Sequence, residues 1–173
     1  MAASAKSKAM DDLRTRYLHA MSMAAATVNV VTTDGPAGRA GVTVSAMTSV
    51  SVDGDAPTML VCLNDTASAT GPILENKCFA INVMDCKQQD VADTFANRQP
   101  APGGDKFADL HWDVMTTGAP ALQSLATFDC TVQSSQRIGT HHVIIGAVHD
   151  VRVSDGGSPL IWGMRKYLRA EPA

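Results

Sequence analysis

Residues 28–64 constrain the fold more than any other part of this chain: VNVVTTDGPAGRAGVTVSAMTSVSVDGDAPTMLVCLN. Short runs rich in Val and Thr, broken by clusters of Gly, Pro and Asp, read as strands separated by turns. Three strands are expected, over residues 28–33, 41–52 and 59–63. The turns between them are Gly35-Pro36-Ala37-Gly38 and Asp53-Gly54-Asp55-Ala56-Pro57. A core strand would carry Val, Ile or Leu at every second position. The middle strand instead carries Thr43, Ser45, Thr48, Ser49 and Ser51. Hydroxyl and backbone donors beside small side chains such as Ala46 suit a flat, polar, phosphate-bearing ligand lying close to the strand.

The rest of the chain extends this pattern. A helix is expected over residues 10–23, with Leu13, Tyr17, Leu18 and Met21 on one face, after a disordered lead-in over residues 1–9. After the third strand a polar stretch leads into a short helix with Pro72 in its first turn, where the missing N–H costs nothing. A strand over residues 78–84, a helix over 88–96 and a mobile Pro/Gly loop over 97–105 follow. Later strands fall at 112–115, 125–134, 142–153 and 160–162, and a tail over 164–168 holds Arg165, Lys166 and Tyr167. About seven strands follow one another without helical crossovers. The fold class is therefore mainly β with flanking helices, an antiparallel barrel in preference to a βαβ fold. At 173 residues, with no linker or repeat, residues 10–173 form a single domain.

Composition removes several function classes. A formal net charge of -3 gives no electrostatic reason to bind nucleic acid or an anionic membrane. No apolar run approaches the length of a membrane span, and the N-terminus lacks an apolar signal core, so a cytoplasmic location is expected. Cys62, Cys78, Cys86 and Cys130 show no C-x-x-C spacing and read as free thiols in a reducing compartment. No phosphate-loop, dinucleotide-fold or nucleophile-elbow motif is present. His141 and His142 are adjacent on a strand and point to opposite faces, so no metal is expected.

The ordered series VNVVTTDG, GRAGVTVSAMTSVSVD and APTMLVCLN resembles the short flavin reductase family. The likeness continues through FAINVM, Phe95-Ala96, Asp105-Lys106-Phe107, Trp112, Gly118-Ala119-Pro120-Ala121-Leu122, Gly139-Thr140-His141-His142, Gly146-x-Val148 and Tyr167. It covers roughly residues 15–168. The resemblance implies an FMN-binding split β-barrel of Greek-key type, homodimeric, with FMN or FAD near the subunit interface. It implies hydride transfer from NADH or NADPH to the flavin, with reduced flavin supplied to a partner monooxygenase. By motif position Thr43, Val44, Ser45 and Ala46 border the isoalloxazine. Ser49, Ser51, Ser68 and Thr70 lie along the ribityl and phosphate, and Cys62, Leu63 and Asn64 close the wall. The plainer reading of the residues makes Thr70 a helix N-cap and the serines turn fillers.

The family motif Gly-Asp-His stands here as Gly139-Thr140-His141. His141 is expected on the nicotinamide side, positioning that ring, with Thr140 in place of the acidic residue. Arg165 and Tyr167 are expected near the flavin or the nucleotide. Arg39 reads as solvated, and Met47, Met59, Met84 and Trp112 as packing. NADPH selection would require a cation at the 2′-phosphate, which Arg39, Arg98 or Lys106 could supply. Two other readings use the same fold: a corrinoid reductase holding its flavin, and a flavin carrier or sensor without turnover.

Overall fold

The structure, a computed structural model, describes residues 2–171. Helix α1 spans Ala2–Met23. It starts eight residues before the expected position because residues 2–23 contain neither Gly nor Pro and are rich in Ala, Lys, Met and Leu. Met1 lies outside the described residues. The apolar face of α1 is uncovered among the described residues: Leu13, Tyr17, Leu18 and Met21 are all exposed.

Among the described residues twelve strands follow. β2 (Asn29–Thr33) occupies the first expected strand region, and β1 (Ala26–Thr27) precedes it. β3 (Ala40–Val44) and β4 (Met47–Ser51) replace the single strand expected over residues 41–52. β5 (Thr58–Asn64), α2 (Thr70–Asn76), β6 (Cys78–Val83) and α3 (Gln89–Phe95) fall where expected. A 3-10 turn, Pro102–Gly104, sits in the Pro/Gly loop. β7 (Trp112–Val114) pairs with β8 (Pro120–Leu122), which is too short to show periodicity in sequence. β9 (Ala126–Ile138) and β10 (His141–Val153) form a long hairpin. β11 (Leu160–Gly163) and β12 (Lys166–Arg169) form a short one, so the expected tail is a strand.

Seven strands make one antiparallel sheet in the order β3-β2-β6-β9-β10-β5-β4. Its two edge strands, β3 and β4, are consecutive in the chain and separated by Ser45 and Ala46 alone. The sheet therefore curls back on itself and stays unpaired at that seam, the expected split barrel. The β5–β6 connection through α2 passes over two strands, as in the long return of a Greek key.

The interior holds Val31, Val61, Leu63, Phe79, Ile81 and Ile144, with Ile73 of α2 sealing one end. A second cluster under α3 packs Phe95 edge-on to Phe107, with ring centroids 5.1 Å apart. Met59 and Met84 are buried and Met47 is packed against the core, as expected. The four cysteines are free, with Cys78 and Cys130 buried.

Asn82 is wholly buried, and four partners satisfy its amide. It donates to Val30 O and Thr32 Oγ1, and accepts from Leu122 N–H and Thr127 Oγ1. That network fastens β8 to the barrel.

Arg39 corrects the solvated reading. It pairs with Asp105 at 3.0 Å and lies 4.8 Å from the centroids of both Phe107 and Trp112.

Two contacts dock α3 on β3. The Thr43 hydroxyl donates to Ala92 O at 2.6 Å, and Phe95 packs flush on Gly41, where a Cβ would stand 2.4 Å from the ring. Phe95 is fully buried and has nowhere to retreat. Gly41→Ala should destabilise the fold by about 2 kcal/mol through overpacking. A thermal melt checks this, with an expected fall of roughly 4–8 °C; an unchanged melting temperature would show that α3 can slide off β3 freely.

Candidate functional site

β3 and β4 are separate strands because they hydrogen-bond to different neighbours. Val44 of β3 is paired with Asn29 of β2, and Met47 of β4 with Val61 of β5. Ser45 and Ala46 carry the chain between the two ladders. There Met47 N–H donates to Ser45 O at 3.1 Å and Cys62 N–H to Ala46 O at 3.0 Å. Because β3 is an edge strand, its outward backbone N–H and C=O groups are free for a ligand. The Thr43 hydroxyl is committed to α3, so Thr43 offers a ligand its backbone.

Two cavities meet at Ser45. One, of ≈ 120 Å³, lies between Thr43, Val44 and Ser45 on one side and Arg98, Trp162 and Tyr167 on the other. The second, of ≈ 620 Å³, is bounded by Ser45, Ala46, Trp162, Arg165 and the end of α1 at Leu18 and Met21. Trp162 borders both. It packs edge-on against Tyr167, with centroids 5.1 Å apart, because the β11–β12 register sets the two residues opposite each other.

Asp93 of α3 fixes this aromatic wall. Tyr167 Oη donates to Asp93 Oδ1 at 2.6 Å. Arg98 Nη1 donates to Tyr167 Oη at 3.1 Å and to Asp93 Oδ1 at 3.3 Å. The Arg98 guanidinium lies 4.4 Å from the Trp162 ring centroid. Burial, together with the Asp93 carboxylate, pushes the Tyr167 phenol up to about 12, so it remains a neutral donor at any physiological pH. Asp93 and Trp162 were not singled out from the sequence. The one signal for Trp162 was its hairpin partnership with Tyr167, visible only once the turn between them is recognised.

That turn is strained. Met164 (φ 52) and Arg165 (φ 60) both adopt left-handed backbone conformations, which side-chain-bearing residues avoid at about 1–2 kcal/mol each. A two-residue hairpin turn demands this geometry and ordinarily recruits Asn or Gly. Met164 N–H donates to Ser22 O, which anchors the turn to the end of α1. The strain is offset by this packing, and it leaves the Arg165 side chain on the larger cavity beside Ser45.

The remaining expected residues divide between the two ends of β5. Cys62 is half-buried, and Leu63, at 1% exposed, can present only its backbone. Asn64 is exposed, and its Oδ1 accepts from Thr66. Ser68 is exposed in the following turn. Thr70 is buried and donates to Asn64 O at 2.7 Å; it is not the N-cap of α2, a place taken by Ala69. Ser49 and Ser51 pair with Met59 and Thr58, at the opposite end of β5. Six residues of extended strand separate Thr58 from Asn64, about 20 Å. A single chain therefore does not gather Ser49 and Ser51 with Ser68 and Thr70 around one phosphate.

His141 stands opposite Asn64 and is exposed. Its Nδ1 lies 3.1 Å from Thr140 Oγ1, so the threonine hydroxyl contacts the ring where the family motif carries a carboxylate. Asp65 N–H donates to Thr140 O at 2.9 Å, joining the β9–β10 turn to the end of β5. His142 reaches Asp65 at 3.0 Å, and Arg137 meets the same carboxylate at 2.8 Å. Among the described residues no three His, Cys, Asp or Glu side chains gather as a metal site.

Comparison with known proteins gives a consistent set of likenesses. Residues 21–171 match the family model described as flavin reductase like domain. The chain is 41% identical over 152 residues to the FMN reductase (NADH) RutF 2 of Methylorubrum extorquens (strain PA1), covering 87% of this chain and 86% of that protein. It is 39% identical to the FMN reductase (NADH) RutF of Agrobacterium fabrum, covering 87% and 85%. Its fold is similar to the crystal structure of BorF, the flavin reductase component of a bacterial two-component tryptophan halogenase. That likeness has a TM-score of 0.80 at 29% identity, with 92% of this chain and 99% of that one covered.

Two substitutions test the wall. Arg165→Gly should raise stability by about 1 kcal/mol by relieving the left-handed strain; a lower melting temperature in calorimetry would show that the arginine's contacts outweigh it. Tyr167 has a folded pKa above its unfolded value, so its contribution to stability is complete below pH about 10 and lost as pH rises towards 12. Across that window the melting temperature of Tyr167→Phe should fall less steeply than that of the unmodified protein.

Proposed function

The chain belongs to the flavin reductase-like family, and on that premise we propose that it is an NADH-dependent FMN reductase that passes reduced flavin to a partner oxygenase. The observation that carries this reading is the unpaired outer edge of β3 where it runs into the Ser45–Ala46 seam, faced by the Trp162–Tyr167 wall. Free backbone donors and acceptors along a strand edge match the alternating donors and acceptors of a flavin ring, and the aromatic wall matches its flat surface. The relatives named FMN reductase (NADH) support FMN and NADH as the pair of substrates. BorF supports delivery to a separate oxygenase.

FMN, when bound, supplies the acceptor for the hydride of NADH, and a solvent proton completes its two-electron reduction. The chain contributes positioning. The backbone of Thr43–Ala46, with Cys62, Leu63 and Asn64, borders the ring, and Arg165 provides a cation beside Ser45. Trp162 and the neutral Tyr167 exclude water from one side. Ser68, exposed on the turn after Asn64, would hold the phosphate. His141, held by Thr140, orients the nicotinamide. Hydride transfer between two stacked rings needs no protein base, so alignment and water exclusion are the enzyme's part.

A homodimer completes the site in this reading. The exposed apolar face of α1, with Leu13, Tyr17, Leu18 and Met21, runs to the edge of the ≈ 620 Å³ cavity. Apolar surface of that kind seeks cover, and a second protomer laid on it would roof the cavity. The free thiols fit a reducing compartment such as the cytoplasm.

The test is an anaerobic stopped-flow mix of protein, FMN and NADH, followed by flavin bleaching, with sedimentation equilibrium on the same sample. Fast bleaching that saturates with NADH, from a dimer, is expected. Bound flavin that never bleaches would identify a flavin carrier instead. His141→Ala should lower kcat/KM for NADH about fivefold, the worth of one hydrogen bond of about 1 kcal/mol.

A further inference from the structure

Arg98 borders a second groove as well as the cavity beside Ser45. That groove, of ≈ 510 Å³, lies between the end of α3 and the Pro102–Gly104 turn, with Arg98 and Lys106 on its wall and no carboxylate side chain lining it. Through Arg98 the groove adjoins the cavity against Thr43–Ser45, which itself abuts the ≈ 620 Å³ cavity through Ser45 and Trp162. We infer that this groove seats the pyrophosphate of the pyridine dinucleotide, with Arg98 and Lys106 as its two cationic anchors. The inference rests on the reductase reading and names the place where that reading's second substrate is held.

The two cations are prepared for the task in different ways. Arg98 is stacked on Trp162 and uses only Nη1 on Tyr167 and Asp93, which leaves Nη2 and Nε free to donate. A guanidinium already fixed on an aromatic surface loses little freedom when it takes up an anion. Lys106 Nζ donates to Phe95 O at 3.2 Å, which leaves two of its three donors. Among the described residues it has no ion-pair partner, whereas Arg39 and Arg98 both have one. Asp90 and Asp109 line an adjoining cavity that shares Thr94, Gln99 and Lys106 with the groove. Partial burial lowers the pKa of its ammonium, and an incoming anion would offset that cost. On a chain of formal net charge -3, a polyanionic substrate needs such a local concentration of positive charge.

The geometry also orders the substrate. Pyrophosphate at Arg98 leaves the nicotinamide half to reach back towards Ser45, and the adenosine half to lie over the loop of residues 97–106.

The test compares NADH with 1-benzyl-1,4-dihydronicotinamide, a hydride donor that carries no phosphate, at saturating FMN. In Lys106→Gln and Arg98→Gln the ratio of kcat/KM for NADH to that for the benzyl donor should fall about tenfold, the loss expected for one charge-assisted hydrogen bond. Lys106→Arg should restore most of the ratio, and the salt dependence of NADH turnover should flatten in Lys106→Gln. A ratio within twofold of the unmodified protein in both Gln variants would overturn the assignment while leaving the reductase reading intact. So would a loss seen with NADPH but not NADH, which would place the 2′-phosphate there instead. An unmodified protein that oxidises neither donor would overturn the reductase reading, and this assignment with it.

Discussion

The site depends on one partition of backbone hydrogen bonds. β3 gives its paired edge to β2, and β4 gives its paired edge to β5 at the far end of the same sheet. The two strands are separated by only two residues, so the sheet must curl until its edges nearly meet. They do not pair, because Ser45 and Ala46 turn the chain across the seam, with Ala46 O bonded to Cys62 N–H. An open strand edge is ordinarily an aggregation hazard. Here the edge is short, flanked by α3 and by the β11–β12 hairpin, and shaped to a narrow cavity.

What flanks that edge is set by packing. Gly41 lets the Phe95 ring lie directly on β3, and Thr43 clasps Ala92 O. These contacts bring the end of α3, with Asp93 and Arg98, against Thr43–Ser45. From there Asp93 holds Tyr167, Arg98 covers Trp162, and the strained Met164-Arg165 turn aims Arg165 at the neighbouring cavity. Residues from three distant parts of the chain converge because one helix is docked at close range. The left-handed turn is tolerated because Ser22 and the aromatic pair hold it. Local strain offset by surrounding packing is the usual condition of a functional turn.

Much of this was legible in the order of residues. Val/Thr-rich runs broken by Gly and Pro marked the strands, and the excess of hydroxyls over residues 41–52 marked a segment outside the ordinary core, since hydroxyls are poor core formers. The thiols, the short Pro72 helix and the methionine core followed from composition and turn chemistry. Other features had no local signal. The break at Ser45–Ala46 was invisible because both halves favour extended backbone; only their different partners separate them. β8 was too short to show a period. The pairing of Arg39 with Asp105 spans distant residues, so its sequence neighbourhood suggested solvent. Ser49 and Ser51 looked equivalent to Ser68 and Thr70, yet strand register places the first pair against the opposite end of β5.

The sequence by itself determined the class of fold and the family of chemistry, because propensity, turn residues and an ordered run of motifs are local properties. Only the tertiary structure decided which of those residues share a site. It selected Asp93, Arg98 and Trp162 as companions of Ser45, gave Thr43 and Thr70 structural partners for their hydroxyls, and left the apolar face of α1 uncovered. Which groups meet depends on long-range pairing and close packing. These are set by the balance of burial and hydrogen-bond satisfaction over the whole chain, which no short stretch of sequence records.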